Sequence, residues 1–304
     1  MVFLRKTILV IIVLLLIAIV LGFFSFLHPL CDSFAHFRIH FFIFLMVFLA
    51  LLWPFASKKE TYVIAVGILL CAAYLGMILT KKHHPSSCKK TLKMIQFNLR
   101  FDNQHLDKLS AFLQKESIDI ATFQEVTYKH KEKIEALKKM YPYQAYCEFA
   151  TVGGVMLISK YPFTQKGGCL EKEGLVWRDI SMEEKTFSLV SLHLHWPFPF
   201  SQAKQIDRLS QELENIQGPV IIAGDFNAVP WSYAVERLAQ ASHSKLIDGM
   251  RWSVNADILG IPVRLPIDHI LVRDFTVSDI WVAPDLGSDH RPIVGTVCMG
   301  TNKL

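Results

Sequence analysis

The chain has 304 residues, enough for one large domain or two smaller ones, and a formal charge of only +5. Its six cysteines show no CxxC spacing, which excludes a zinc site or redox motif of the kind that sequence alone reveals. Hydrophobic residues make up 52% of the chain, more than a soluble protein usually carries, and the excess is local.

Residues 7–27 and 61–80 contain no charged side chain, and each is long enough to cross a hydrocarbon core, which takes about 20 apolar residues. A third run, residues 41–56, is shorter and aromatic-rich, with Trp53 and Pro54 near its end. Residues 1–80 are therefore expected to form a membrane region of two or three transmembrane helices. Arg5 and Lys6 could open a signal peptide, but the apolar run is too long and no small-x-small site follows it. A helical hairpin buried in a soluble core would hardly go uncharged for so long.

Orientation follows from the lysines and arginines. With three spans and the amino end inside, Arg5, Lys6, Lys58 and Lys59 are cytoplasmic and the rest of the chain is external. That leaves Lys81, Lys82, Lys89, Lys90 and Lys93 on the wrong side of the positive-inside bias, whereas two spans would place them inside. The first helix usually dominates, which favours an external, periplasmic-type domain. Residues 81–90 read as a basic linker, Lys81-Lys82-His83-His84-Pro85-Ser86-Ser87 at its start. Its charge suits a solvated stretch beside the bilayer, and an anionic head group or polyanion nearby.

A separate domain is expected over residues 91–304. Residues 93–99 read as a strand, 105–116 as a helix, 118–125 as a strand and 128–140 as a helix, the rhythm of a sheet with helices packed on it. Residues 153–159, 174–180 and 187–194 are short strands in close succession, so the sheet is expected to be mixed. A helix over 202–216 precedes the strand 219–224, which runs Ile221-Ile222-Ala223-Gly224 and stops at Asp225-Phe226-Asn227. A helix over 232–241, a long loop over 251–266 and two closing strands, 267–272 and 292–297, finish the domain. There is no internal repeat.

Polar residues recur where apolar strands stop. Asn98, Glu125, His193, Asp225 with Asn227, and Asp289 with His290 all sit at strand ends, and Asp268 lies inside a strand. One acid after a strand is an ordinary turn former; six coincident placements of acid, amide and imidazole suit phosphoester hydrolysis. A carboxylate such as Glu125 can hold Mg²⁺, which keeps several waters and uses one or two protein carboxylates. A carboxylate or imidazole must take the proton of the attacking water, and amides and histidines can donate to phosphoryl oxygens. Asp289 beside His290 offers an orienting acid and a base.

These stretches resemble the endonuclease/exonuclease/phosphatase, or DNase I-like, superfamily. The resemblance rests on Gln96-Phe97-Asn98, Phe123-Gln124-Glu125, Ser191-Leu192-His193-Leu194, Gly224-Asp225-Phe226-Asn227, Ile267-Asp268-His269-Ile270 and Ser288-Asp289-His290-Arg291-Pro292, in the family's order, over residues 91–298. It implies a four-layer α/β sandwich, two mixed sheets flanked by helices, here preceded by the N-terminal transmembrane helices. It implies Mg²⁺ or Mn²⁺ at Glu125 and Asn98, with Asp225 activating the nucleophile and Asn227 and His193 on the phosphate side. His195 is a rival for the role of His193. Asp268 matches a buried acid, and Asp289 with His290 the terminal pair, His290 transferring the proton. The implied enzyme is a membrane-anchored phosphodiesterase or nuclease; a lipid head-group phosphodiesterase or phosphatase is the alternative, and a catalytically silent membrane module a third. Its partners are then a nucleic-acid or phospholipid phosphoester and the bilayer, with no obligate protein partner evident. The tyrosine of abasic-site endonucleases has no counterpart, and no DNA-reading insertion stands out.

Overall fold

The computed structural model describes residues 2–83, 85, 91–258 and 260–299. Most of the expected linker, residues 84 and 86–90, and the last five residues lie outside that range.

The amino-terminal third is helical: α1 (Val2–Phe23), α2 (Pro29–His36), α3 (Arg38–Leu52), continued by a 3₁₀ turn to Phe55, and α4 (Lys58–Leu79). Three of these, Val2–Phe23, Arg38–Phe55 and Lys58–Leu79, are long and apolar enough to cross a membrane. The middle one starts earlier than its apolar run suggests, because Arg38 turns inward to bond the Gly22 carbonyl and lies over the Phe23 ring. Ser57 and Glu60 form a capping box that starts α4. Glu60 also pairs with Arg5 at 2.5 Å, so α1 and α4 begin at the same end of the bundle. The α1–α3 connection, which contains α2, therefore lies at the other end, where α4 hands the chain to the rest of the molecule. There Lys81 meets Asp248 at 2.6 Å and the His83 ring meets the Val277 carbonyl at 2.9 Å.

The remainder runs β1 (Leu92–Asn98), α5 (Leu106–Lys115), β2 (Ile120–Val126), α6 (Tyr128–Glu135), β3 (Tyr143–Ala150), β4 (Gly153–Ser159), β5 (Phe163–Leu170), β6 (Leu175–Met182) and β7 (Lys185–His193). Then follow α7 (Gln202–Asn215), β8 (Val220–Asp225), α8 (Tyr233–Ala241), β9 (Lys245–Leu246), β10 (Val254–Ile258), β11 (Ile261–Leu265), β12 (Asp268–Arg273), β13 (Phe275–Val282) and β14 (Ile293–Met299). Two six-stranded sheets form, ordered β13-β14-β1-β2-β4-β3 and β5-β6-β7-β8-β12-β9. Each is mixed, with one parallel pair, β1–β2 and β7–β8 respectively.

The period of two along each central strand builds four layers. Met94, Ile120, Leu157, Leu189, Ile221 and Ile270 point between the sheets. Their neighbours Ile95, Ala121 and Ile158 point beneath α5 and α6, and Val190, Ile222 and Leu271 point beneath α7 and α8. This is the expected sandwich. The expected loop 251–266 contains the hairpin β10–β11, and β3, β5 and β13 add strands that the apolar runs did not announce. Cys147 on β3 and Cys169 on β5 form a disulfide that ties an edge of one sheet to an edge of the other.

Candidate active site

The inward-facing rows of the central strands turn polar toward one end of the sandwich. On β1 the row is Met94, Gln96, Asn98; on β2 it is Ile120, Thr122, Gln124; on β7, Leu189, Ser191, His193; on β8, Ile221, Ala223, Asp225. β12 enters at that end with Asp268, ahead of Ile270. His193 pairs with Asp225 across β7–β8, and Asp225 with Asp268 across β8–β12. Three strands thus set a histidine and two acids side by side, because equal register puts side chains on the same face.

A buried amide layer separates this end from the apolar core. Gln96 Nε2 donates to Gln124 Oε1 at 2.8 Å and to Asp268 Oδ1 at 2.9 Å. Gln124 Nε2 donates to Ser191 Oγ at 3.0 Å, and that hydroxyl donates to the Phe123 carbonyl at 3.2 Å. Gln96, Gln124 and Ser191 stood in the motifs quoted from the sequence but were given no role there. Their signal was the period of two, which places them in the same inward rows as Asn98 and His193.

Two residues reach the site through unusual backbone. By alternation Glu125 would point away from the inter-sheet space. The β2–β4 ladder shifts between Phe123 and Val126, and Glu125 takes φ +54°, a bulge that re-aims its side chain. Asn227 has φ +44°. Its backbone N–H donates to Asp225 Oδ1 at 2.8 Å and its Nδ2 to the Leu194 carbonyl at 2.7 Å. Non-glycine residues held there cost roughly 1–3 kcal/mol each, a cost that clusters at functional sites.

The groups converge. Asn98 Nδ2 donates both to Glu125 Oε1 at 3.0 Å and to Asp225 Oδ2 at 2.9 Å. His290 Nδ1 lies 2.8 Å from Asp268 Oδ2, and its Nε2 lies 3.6 Å from Asp225 Oδ2. His193 Nε2 is 3.5 Å from Asp225 Oδ2 and 3.5 Å from Asn227 Nδ2. Asp289 is exposed and bonds Ser288 Oγ. The acid at the His290 ring is Asp268, not the adjacent Asp289, because consecutive residues point apart. His195 sits outside this cluster, half-buried against Phe149 with ring centroids 4.9 Å apart. An open cleft of about 660 Å³ reaches Glu125, His193, Asp225, Asn227, Asp289 and His290. Phe101, Phe149, Trp196 and Phe200 wall it.

Electrostatics separate the roles. Burial lowers His193 to about 3, with the His290 charge adding to the effect, so its 3.5 Å approach to Asp225 is a contact of a neutral ring and not an ion pair. Burial also works against charge on His290, but Asp268 and Asp225 outweigh it and hold the ring protonated, up to about 10. Burial would raise Asp268, yet the His290 charge and hydrogen bonds from His290, Ser253 and Gln96 keep it below the usual carboxylate range. Burial pushes Asp225 up to about 7, with Asp268 adding to the rise and His290 and the Asn227 amide opposing it.

Two places could take a cation. Asp225, Asp268 and His290 each offer a ligand atom within 4.8 Å of the others, but a protonated imidazole has no lone pair to give and already serves as counter-ion. Glu125 and Asp225 instead converge on one neutral amide, an oxygen-rich set of the kind hard divalent ions prefer. His193 Nδ1 and Asn227 Oδ1 beside them are buried without a hydrogen-bond partner among the described residues. This second place fits a hard divalent ion.

The fold has counterparts. Residues 95–290 match the model of the Endonuclease/Exonuclease/phosphatase family, and the chain belongs to that family. It is 27% identical over 131 residues to a UPF0294 protein of Photorhabdus laumondii, covering 41% of this chain and 48% of the relative. A UPF0294 protein of Yersinia pseudotuberculosis is 33% identical over 93 residues, 30% of this chain and 34% of the relative. The matched stretch thus spans between a third and a half of these relatives. An endonuclease/exonuclease/phosphatase structure from Bacteroides vulgatus superposes with a TM-score of 0.58 at 18% identity, covering 69% of this chain and all of that one. D. rerio TDP2 complexed with a single-strand DNA product gives 0.54 at 18% identity, again over 69% of this chain and all of that one. Both share the sandwich.

Proposed function

We propose that the chain is a membrane-attached phosphoester hydrolase dependent on Mg²⁺ or Mn²⁺. The observation that carries this reading is the meeting of Glu125 and Asp225 on the Asn98 amide, with the Asp268–His290 pair behind it. Family membership supports it.

Glu125 would hold the ion, with Asp225 at its edge and Asn98 beside it, the Asn98 Nδ2 bracing both carboxylates and its Oδ1 accepting from the Arg100 N–H; when bound, the ion supplies positive charge that polarises a phosphoryl oxygen. Asp225, held by the Asn98 amide beside the ion, takes the proton of the attacking water. The Asn227 N–H to its Oδ1 fixes the carboxyl for that task. His290, protonated and braced by Asp268, donates a charged hydrogen bond to the phosphoryl group. His193 lines the cleft with an unmatched ring nitrogen that can donate to a remaining phosphoryl oxygen, and the unmatched Asn227 Oδ1 faces the cation side as an acceptor.

Residues 1–80 act as the membrane region with three spans, residues 81–90 as the connection and residues 91–304 as the catalytic domain. Arg5, Lys6, Lys58 and Lys59 lie at the bundle end opposite the hydrolytic domain, and the Cys147–Cys169 disulfide suits an oxidising compartment. Both support an external, periplasmic-type placement of the domain.

For the substrate, a phosphodiester of nucleic acid fits the D. rerio TDP2 likeness. A lipid phosphoester is favoured by a separate observation: the cleft wall Trp196 to Phe200 leaves Trp196, Phe198 and Phe200 exposed. Phe198 packs on His28 at 5.8 Å, beside exposed Phe26 and Leu27 past the end of α1. Aromatic side chains in such a place suit a bilayer surface.

The test is hydrolysis by the full-length protein in nanodiscs, with and without Mg²⁺, of bis(p-nitrophenyl) phosphate, single-stranded DNA and phospholipid. Equal rates in chelator and in Mg²⁺, or no turnover of any of the three, would sink the reading.

A further inference from the structure

The helix α2 joins two apolar helices, yet its polar residues are turned inward onto the catalytic domain. Asp32 and His36 are 6% and 3% exposed. The Asp32 carboxylate accepts from Ser232 Oγ at 2.7 Å and from the backbone N–H groups of Tyr233 at 3.0 Å and Ala234 at 3.2 Å. It thereby caps α8 together with Ser232, whose own Oγ accepts from Ala234. A carboxylate at a helix start satisfies orphan N–H groups and meets the positive end of the helix dipole. Trp231 Nε1 donates to the Ala35 carbonyl at 2.8 Å. The His36 ring lies between two carbonyl oxygens, 2.8 Å from that of Asp32 and 3.0 Å from that of Asn227.

The Asp32, Ala35 and His36 bonds that leave α2 fall on one stretch of the catalytic domain, residues 227–234, while the exposed Ser33 Oγ donates to the Phe198 carbonyl at 3.0 Å. Asn227 is the strained residue whose N–H fixes Asp225, and a strained backbone persists only where surrounding contacts hold it. On one side that hold comes from the domain itself, through the Asn227 amide on Leu194 and Gln202 Nε2 near the Asn227 carbonyl at 3.3 Å. On the other it comes from a helix some two hundred positions earlier in the chain, inside the apolar third.

We propose that α2 is a clamp on the active-site loop, with Asp32 and His36 as positioning residues for Asp225 and Asn227. The apolar helices and the hydrolytic centre then work as one unit, the helices fixing loop geometry as well as location. A mere connector between two spans would leave its acid solvated; this acid is buried with three donors, all from the loop. The inference rests on the hydrolase reading for its consequence, not for its geometry.

Two measurements on the full-length protein in nanodiscs decide it, each on Asp32→Ala, His36→Ala and the conservative Asp32→Asn. The first is turnover of bis(p-nitrophenyl) phosphate with Mg²⁺. The alanine variants are expected to lose about tenfold or more in kcat with KM within about twofold, since the loop positions a reacting group and does not itself bind substrate. Asp32→Asn, which keeps an acceptor, recovers part of the loss. The second is backbone hydrogen exchange. Loss of the cap should speed exchange in the peptide spanning residues 226–234 roughly fivefold, with the peptide spanning 268–273 unchanged.

Parent-like kcat and parent-like exchange in both alanine variants overturn the proposal. So does faster exchange spread equally over both peptides, which would make α2 a general support. If Asp32→Ala does not fold, Trp231→Phe removes one bond to α2, keeps the ring and should show the same signature in smaller measure. A parent protein inactive on every phosphoester defeats the hydrolase reading alone, and the exchange measurement still decides the clamp.

Discussion

Asp225 and Asp268 stand opposite each other in the β8–β12 ladder, and one imidazole, that of His290, lies 3.6 Å from the first and 2.8 Å from the second. Two buried acids so close would repel each other if both were ionised alone. The ring between them removes the conflict: Asp268 stays ionised, His290 stays protonated, and Asp225 keeps a raised proton affinity. Acid, orienter and base are set apart by environment and not by residue type.

Asp268→Asn tests that division. The amide leaves the His290 ring without its principal counter-charge, and the ring loses its proton more readily. Hydrolysis should fall by about 100-fold or more, and the alkaline limb of the pH–rate profile should move toward lower pH. Stability carries the same sign. A histidine raised above its unfolded value of 6.5 contributes stability present below that pH and lost as pH rises through about 10. Urea unfolding of the parent should therefore show declining stability across that window, and Asp268→Asn should be less stable at pH 7 with a flatter alkaline decline.

Glu125→Gln tests the ion. The amide preserves shape and can still accept from the Phe101 N–H, now 2.9 Å from Oε2, but brings no charge. Several kcal/mol of charge stabilisation is at stake, so turnover should drop by about 100-fold or more. Mg²⁺ should also cease to raise the melting temperature, as binding to the native state otherwise does. A variant melting with the parent's full Mg²⁺ shift would move the ion elsewhere, the Asp225–Asp268–His290 cluster first.

His269 gives a prediction on the acid side. It is fully buried next to Asp268 on β12, donates from Nε2 to the Ala228 carbonyl at 2.7 Å, and leaves Nδ1 unpartnered among the described residues. Burial lowers it to about 4 against an ordinary 6.5. The unfolded chain takes up this proton below pH 6.5 while the folded chain refuses it until about 4, so stability is lost as pH falls through that window. The loss reaches about 3 kcal/mol at its lower end. His269→Gln keeps the donor and does not titrate. Denaturation midpoints at pH 7 and pH 4.5 should differ less in this variant than in the parent; an identical difference would assign the acid lability to other groups such as His193.

Much of this was legible in the sequence, and what was not has physical reasons. The run Ile221 to Gly224 ending in Asp225 and Asn227 announces a buried strand and a crevice, and the strand-end residues Asn98, Glu125, His193 and His290 do converge on it. Asp289 reaches the same cleft but does not brace the His290 ring, since adjacency in sequence is not adjacency of side chains. The bulge that swings Glu125 inward depends on the β4 pairing and leaves no local mark. β5 was missed because it is an edge strand with Gly167 and Gly168 and no buried residue, so no alternation shows. α2 was missed because Pro29, Asp32 and His36 look like a polar loop. Their partners, Ser232 and Asn227, lie about two hundred residues away, and no periodicity records a contact at that range.

Gly224 offers a test of the stretch that carries Asp225. A Cβ placed there would lie 1.9 Å from the Leu192 carbonyl oxygen and 2.8 Å from its carbon, both backbone atoms of β7. Gly224→Ala must therefore separate β7 from β8 or break their ladder, one register step before His193 meets Asp225. Overpacking of this kind costs about 1–3 kcal/mol, occasionally more. Activity should fall further than that destabilisation explains, because the strands that move carry the reacting groups. Full activity in a stably folded Gly224→Ala protein would show that β7 and β8 do not need this closeness.

The Cys147–Cys169 bond connects stability with compartment. It closes a chain segment with a sequence separation of 22, for which loop-closure entropy gives about 3 kcal/mol, and it joins β3 of one sheet to β5 of the other. Cys169→Ser should lower the unfolding free energy by about that amount while leaving the Asn98–Glu125–Asp225 meeting intact, so kcat at 25 °C should stay near the parent's. The same bond reads out sidedness. In whole cells, a domain in an oxidising compartment holds these two sulfurs as a disulfide, resistant to a maleimide until reductant is added. A domain on the reducing side would present two thiols at once, although Cys147, 1% exposed, would label only after unfolding. Maleimide added after denaturation, with and without prior reduction, therefore distinguishes the two placements. Labelling of both cysteines without reduction would place the hydrolytic domain in the cytoplasm and reverse the orientation inferred from Arg5, Lys6, Lys58 and Lys59.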